Sequence, residues 1–222
     1  MSSHLQEIYS VDELIAAFSL DRVTKSPAVF DIKKLNWING QHLRALPEEE
    51  RAVLVGQHLV AAGIAKEADS LFASSASQMV AEKIELVNDA SPIVRDTLDY
   101  PLEETLGSAA AAQLGDDLRT VCAALVAKHK TGELPDGTAE DFDAQWKATV
   151  KALGKELGLK GKNLFMPLRV ATTGRLAGPD VGAQIKVLAL AADGASCDVV
   201  AFEERMELLE KALEAMPAPV EA

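Results

Sequence analysis

Apolar positions along this chain recur at intervals of three and four residues, and nowhere alternate singly over any length. The pattern predicts helices and no substantial strand. Ser10 followed by Glu13 is a capping box ahead of Leu14, Ile15 and Phe18, which predicts a short helix. Pro27 breaks that run, because the residue before proline is steered out of helical geometry. Asp31 is placed to cap the next helix, with Leu35, Trp37, Ile38, Leu43 and Leu46 as its apolar positions. Pro47 and the acids Glu48, Glu49 and Glu50 mark a fresh start, with Val53, Leu54, Leu59 and Val60 behind it and Gly63 at its end. From Glu67 to Val87 the pattern predicts one helical span carrying Leu71, Phe72, Met79, Val80, Ile84 and Leu86. A turn at Asn88–Pro92 and a start at Pro101 follow. Asp116 to Lys130 is then a helix with Leu118, Val121, Cys122, Leu125 and Val126 on its buried side.

The stretch Lys130–Gly137 concentrates glycine and proline and predicts a break between two bundles. Beyond it, Thr138 is expected to cap a long helix reaching about Leu157, with Gly158 and Gly161 as punctuation. Further helices are expected from near Leu164, after Gly178-Pro179, and over Phe202–Leu213, ahead of a frayed tail. The expected organisation is all-α, with a segment over 1–46 and bundles over 47–130 and 138–222.

Length and composition are those of a globular chain: 222 residues, 48% hydrophobic and 25% charged. No apolar run is long enough to span a bilayer, and the N-terminus lacks the features of a secretion signal. Cys122 and Cys197 form no motif and read as reduced thiols. The four histidines, His4, His42, His58 and His129, are too scattered for a metal motif. No phosphate-cradling glycine loop or nucleophile–base signature occurs, so no cofactor is expected.

A formal net charge of −12 does not suggest nucleic acid, but the charge is uneven. Lys147, Lys151, Lys155, Lys160, Lys162, Arg169, Arg175 and Lys186 fall in a stretch whose only acids are Glu156 and Asp180, a local +6 that leaves −18 elsewhere. Lys147, Lys151 and Lys155 are spaced by four and share one helical face. Such a face suits phosphates, and suits equally a solvated surface with lysines for solubility.

Two segments carry a family resemblance. Ser26-Pro-Ala-Val-Phe-Asp31, continued by Lys34-Leu-Asn-Trp-Ile-Asn-Gly40, resembles the segment that follows the catalytic core in glutamyl-tRNA synthetases. Gly161-Lys-Asn-Leu-Phe-Met-Pro-Leu-Arg-Val-Ala-Thr-Thr-Gly174, followed by Gly178-Pro179, resembles their distal anticodon-binding bundle, in a form closer to the plastid and cyanobacterial branch. The resemblance implies an all-α fold of two anticodon-binding bundles after a short stem-contact-like segment. It implies recognition of tRNA(Glu), with Arg169 facing the anticodon loop and Gly178, Pro179 and Val181 at a helix start near the anticodon bases. Helix N-termini suit such contacts through their free N–H groups, and a guanidinium suits RNA by stacking and forked hydrogen bonds. Arg95 is a further candidate. Phe165, Met166, Pro167 and Leu168 read as core, as do Phe30 and Trp37.

The family's ATP-binding motifs are not found. No HIGH-like run occurs, and Arg22-Val-Thr-Lys-Ser26 matches a stretch downstream of the true KMSKS loop. No catalysis is expected of this chain alone. It reads as a recognition module serving glutamylation in an organelle such as the chloroplast or in the cytoplasm, or else as a freestanding relative acting as a structural subunit of a larger complex.

Overall fold

The computed structural model describes residues 7–23, 25 and 29–215. Twelve α-helices run in order through them: α1 (Val11–Ala17), α2 (Ile32–Ala45), α3 (Glu48–Ala61), α4 (Leu71–Val80), α5 (Ala90–Leu98), α6 (Leu102–Leu106), α7 (Ala109–Ala112), α8 (Gly115–Lys130), α9 (Phe142–Leu157), α10 (Lys162–Thr173), α11 (Val181–Gly194) and α12 (Phe202–Ala215). The β-pairing among the described residues is a lone antiparallel bridge between Ala65 and Ala195.

Several starts follow the local chemistry. The Ser10–Glu13 capping box forms, and the Asp31 carboxylate accepts from the Lys34 N–H. Pro47 precedes α3, whose first turn is Glu48, Glu49 and Glu50. Two starts differ from expectation. The span 67–87 is not one helix: the Ser70 hydroxyl caps α4 at Ala73, and the Asp89 carboxylate accepts from the Glu85 and Leu86 N–H groups. Those side chains satisfy N–H groups that a continuous helix would have used internally. Nor does Thr138 cap α9. Its N–H and hydroxyl both bond Asp136, and α9 begins four residues later, after Asp141.

The helices share two cores. One gathers Val55 and Leu59 of α3, Phe72 and Val80 of α4, and Val94 and Leu98 of α5. The other gathers Val121 and Leu125 of α8, Leu153 of α9, Leu168 of α10, and Met206 and Leu209 of α12. The changeover falls between Leu98 and Tyr100. Helix α8 lies before the Lys130–Gly137 break, yet packs on α10 and α12 beyond it. Helix α11 serves both cores, giving Val187, Leu188 and Ala191 to the first and Ile185 to the second. Its C-terminal Gly194 lies so close to α4 that an added Cβ would stand 2.3 Å from Phe72 Cβ, and no side chain fits there. Burial of side chains such as Phe72 and Leu59 contributes roughly 1.5–3 kcal/mol each.

Arg205 of α12 locks the junction between the cores. It has no exposure and donates to the carbonyls of Thr97 at 2.7 Å, Asp99 at 3.0 Å, Thr172 at 3.1 Å and Val200 at 2.8 Å. Its guanidinium lies 5.1 Å from the centre of the Tyr100 ring, whose hydroxyl donates to the Ala171 carbonyl.

The N-terminal segment is built differently. Helix α1 buries no residue, and Phe30 (78%) and Trp37 (38%) are exposed rather than core. The reason is tertiary: neither core draws on a residue before Leu43. Ser26, Pro27 and Ala28 of the first family-like segment lie outside the described residues, as does Thr24.

Candidate nucleic-acid interface

Helices α9 and α10 are joined through the turn at Gly158 and Gly161, and both line a groove of about 880 Å³. Trp146, Val150, Leu164 and Leu168 make an apolar floor. Lys147, Lys151 and Lys155 of α9 stand along one wall, Lys160 lies at the turn, and Phe165, Met166 and Arg169 of α10 form the other wall. Gly182 of α11 packs against Trp146 of the groove floor. A Cβ there would lie 2.9 Å from Trp146 Cδ1, so only glycine lets α11 approach the indole this closely.

Arg169 is half-buried. Its Nη1 donates to the Pro179 carbonyl at 2.8 Å, which also accepts from Gln184 at 3.0 Å. Burial pulls the Arg169 pKa down, and the nearby Asp180 carboxylate opposes the shift. Asp180 caps α11 by accepting from the Ala183 N–H, and Val181 lines the groove beside it. Gly178 lies against the Arg169 guanidinium.

The acids around the groove are largely engaged elsewhere. Glu156 pairs with Lys128 at 3.1 Å, and Asp143 pairs with Lys186 at 3.3 Å. Among the described residues, no ion pair reaches Lys147, Lys151, Lys155, Lys160 or Lys162. The lysines of the groove wall therefore carry charge that no ion pair neutralises, while Asp143 and Asp180 also line the groove.

The structure thus brings Lys147, Lys151, Lys155, Lys160, Arg169 and Val181 to one groove, with Gly178 and Pro179 against Arg169. Lys162 stands exposed at the first position of α10, one turn before Phe165. Two other candidates lie apart. Arg175 is held by Asp96 at 3.1 Å and Asp99 at 3.0 Å, carboxylates at the end of α5. Arg95 of α5 donates to the Ala62 carbonyl at 2.6 Å, beside the first core. Phe165, expected in the core with Met166, Pro167 and Leu168, is instead 55% exposed, while Pro167 and Leu168 are buried. Its place three residues after Lys162, on the same face of α10, was the available signal.

Comparison with known proteins agrees with this architecture. A model of the family described as the anticodon binding domain matches residues 52–189. The glutamate–tRNA ligase of Heliobacterium modesticaldum is 39% identical over 191 residues, covering 82% of this chain and 36% of the ligase. That of Lysinibacillus sphaericus is 36% identical over 185 residues, covering 79% of this chain and 36% of the ligase. The chain thus spans little more than a third of these relatives, which are bacterial and lend the plastid placement no support. The crystal structure of the glutamate-tRNA synthetase from Elizabethkingia anophelis superposes with a TM-score of 0.68 at 24% identity, over 94% of this chain and 37% of that one, and shows the same all-α fold. The chain belongs to the anticodon binding domain family.

Proposed function

We propose that this chain binds tRNA through the α9–α10 groove and serves as the recognition part of glutamylation, with tRNA(Glu) as its ligand. The activation of glutamate is assigned to a separate or attached catalytic domain, since the chain carries no HIGH-like motif. The observation that supports the reading is the wall of lysines without ion pairs facing Arg169 across an apolar floor. Such a wall attracts phosphates, while the floor and the guanidinium suit bases.

Four groove lysines imply a salt dependence of about −3 in log K against log salt, at about −0.7 per single-strand phosphate. The test is a titration of the chain with tRNA(Glu) and with an unrelated tRNA at two salt concentrations. Tighter binding to tRNA(Glu) that weakens with salt supports the reading, and Arg169→Ala is expected to reduce it. Equal or absent binding to both would refute it. An unchanged affinity in Arg169→Ala would remove that residue from the site.

A second reading, a structural subunit that contacts protein, is favoured by one observation. Val11, Ile15, Phe18, Leu20, Val29 and Phe30 are each more than 60% exposed along the N-terminal segment. Co-purification of a stable protein partner without RNA would decide for it.

A further inference from the structure

We infer that Gln184 is a positioning residue for the groove: by holding the Pro179 carbonyl, it fixes where the Arg169 guanidinium points and so sets how strongly the site prefers one tRNA over another. The inference rests on the RNA reading above and goes beyond it to a residue that does not line the groove.

Gln184 is the fourth residue of α11 and is 3% exposed. Its neighbours Ile185, Val187 and Leu188 pack into the two cores. An apolar side chain of similar size would fill the same space without an amide to desolvate, so packing by itself does not call for glutamine there. The amide is committed to one atom. Its Nε2 donates to the Pro179 carbonyl at 3.0 Å, and the same oxygen accepts from Arg169 Nη1 at 2.8 Å. The two donors come from different helices and occupy the two lone pairs of one carbonyl. Among the described residues, no other hydrogen bond reaches the Arg169 guanidinium.

The link between α10 and α11 shows why that carbonyl needs holding. It runs from Gly174 to Asp180, and Gly174 and Gly178 take φ angles of +64° and +147°, which side chains rarely adopt. Proline fixes φ at Pro179 but leaves ψ, the angle that aims its carbonyl. Gln184 ties that angle to α11, a helix buried in both cores. At Gly178 an added Cβ would stand 3.4 Å from Arg169 Nη1 and 3.5 Å from Gln184 Nε2, so the two donors flank the same bare backbone. Control thus passes from α11 through Gln184 and Pro179 to Arg169. Without the amide the carbonyl is free to turn, and the guanidinium loses its fixed anchor. The lysines of α9 are untouched, so attraction for phosphate stays while preference among ligands falls.

The test uses the full chain, Gln184→Met, which keeps the volume and removes the donor, and Gln184→Glu, which keeps the shape and cannot donate when ionised. In the free protein, NMR of the arginine side chains reads the exchange of the Arg169 guanidinium hydrogens with water. Exchange is expected to be slow in the wild type and about tenfold faster in either variant, the order of one charge-assisted hydrogen bond lost. In titrations with tRNA(Glu) and an unrelated tRNA, either variant is expected to lower the ratio of the two affinities about tenfold and leave the salt slope unchanged. In an Arg169→Ala background, Gln184→Met is expected to change the ratio no further, because the two residues act as one unit. Fast exchange in the wild type, unchanged exchange in a folded variant, or a lowered melting temperature with the ratio intact overturns the inference. An equal loss in the Arg169→Ala background also overturns it, since the effect would then not pass through Arg169. Selective binding by the wild type alongside any of these results leaves the RNA reading standing. A wild-type chain that binds no tRNA removes both.

Discussion

Arg205 carries its charge into a site with no exposure, where four backbone carbonyls converge on it. Burial lowers its pKa to about 10, with Tyr100 and Asp99 acting the other way, so it stays protonated at neutral pH. Replacing it with Met keeps much of the volume and strands those carbonyls, each a costly group to leave unpaired. Arg205→Met is expected to lower the unfolding free energy by on the order of 3 kcal/mol in urea titration. A loss of less than about 0.5 kcal/mol, the scale of an ordinary surface change, would mean that the carbonyls are satisfied without it. Arg175 and Arg169 contrast with it. Arg175 is neutralised by two carboxylates, whereas Arg169 is anchored by one carbonyl at the groove. Arg169 and Arg175 both have apolar neighbours in the sequence, and only their partners in the fold separate them.

Between elements, the groove depends on how closely α11 approaches α9. Gly182 sets that approach, because an added methyl would press on Trp146 at 2.9 Å. Overpacking of this kind costs about 1–3 kcal/mol and moves helices apart. Gly182→Ala is expected to lower the melting temperature by several degrees. It is also expected to weaken tRNA binding at temperatures where the variant is fully folded, since Asp180 and Pro179 move with the start of α11. Unchanged affinity alongside a lowered melting temperature would show that the groove tolerates the shift. Helix boundaries were legible where a cap was local, as at Ser10, Asp31 and Pro47. They were not where a nearby side chain captured the capping group, as Asp136 does with Thr138.

The molecule as a whole is tied together by α11, which buries residues in both cores, and by Arg205, which joins the ends of α5 and α10. Shared burial of this kind makes unfolding cooperative. In a Trp37→Phe background, Trp146 fluorescence reports the second core. Val187→Ala, a cavity in the first core, is expected to lower the midpoint seen by Trp146 and by far-ultraviolet circular dichroism together. Separate midpoints for the two probes would show that the cores unfold independently. Charge also acts at this scale: about −18 lies outside the basic stretch and would repel RNA wherever it faced the ligand, which favours approach from the groove side.

The sequence determined the helical class, most helix starts and the four-residue spacing of Lys147, Lys151 and Lys155, because each depends on groups within a turn or two of one another. The family resemblance singled out Arg169, Gly178 and Pro179, and the structure showed them in contact. The tertiary structure decided which helices share a core, and showed α8 packed across the Lys130–Gly137 break. It exposed Phe165 on the groove wall and left Phe30 and Trp37 uncovered. It neutralised Arg175 through Asp96 and Asp99, more than 70 residues earlier in the chain. Periodicity reports that a face is apolar, but not what covers it. Charge counts report how many cations a stretch holds, but not which of them distant acids have already paired.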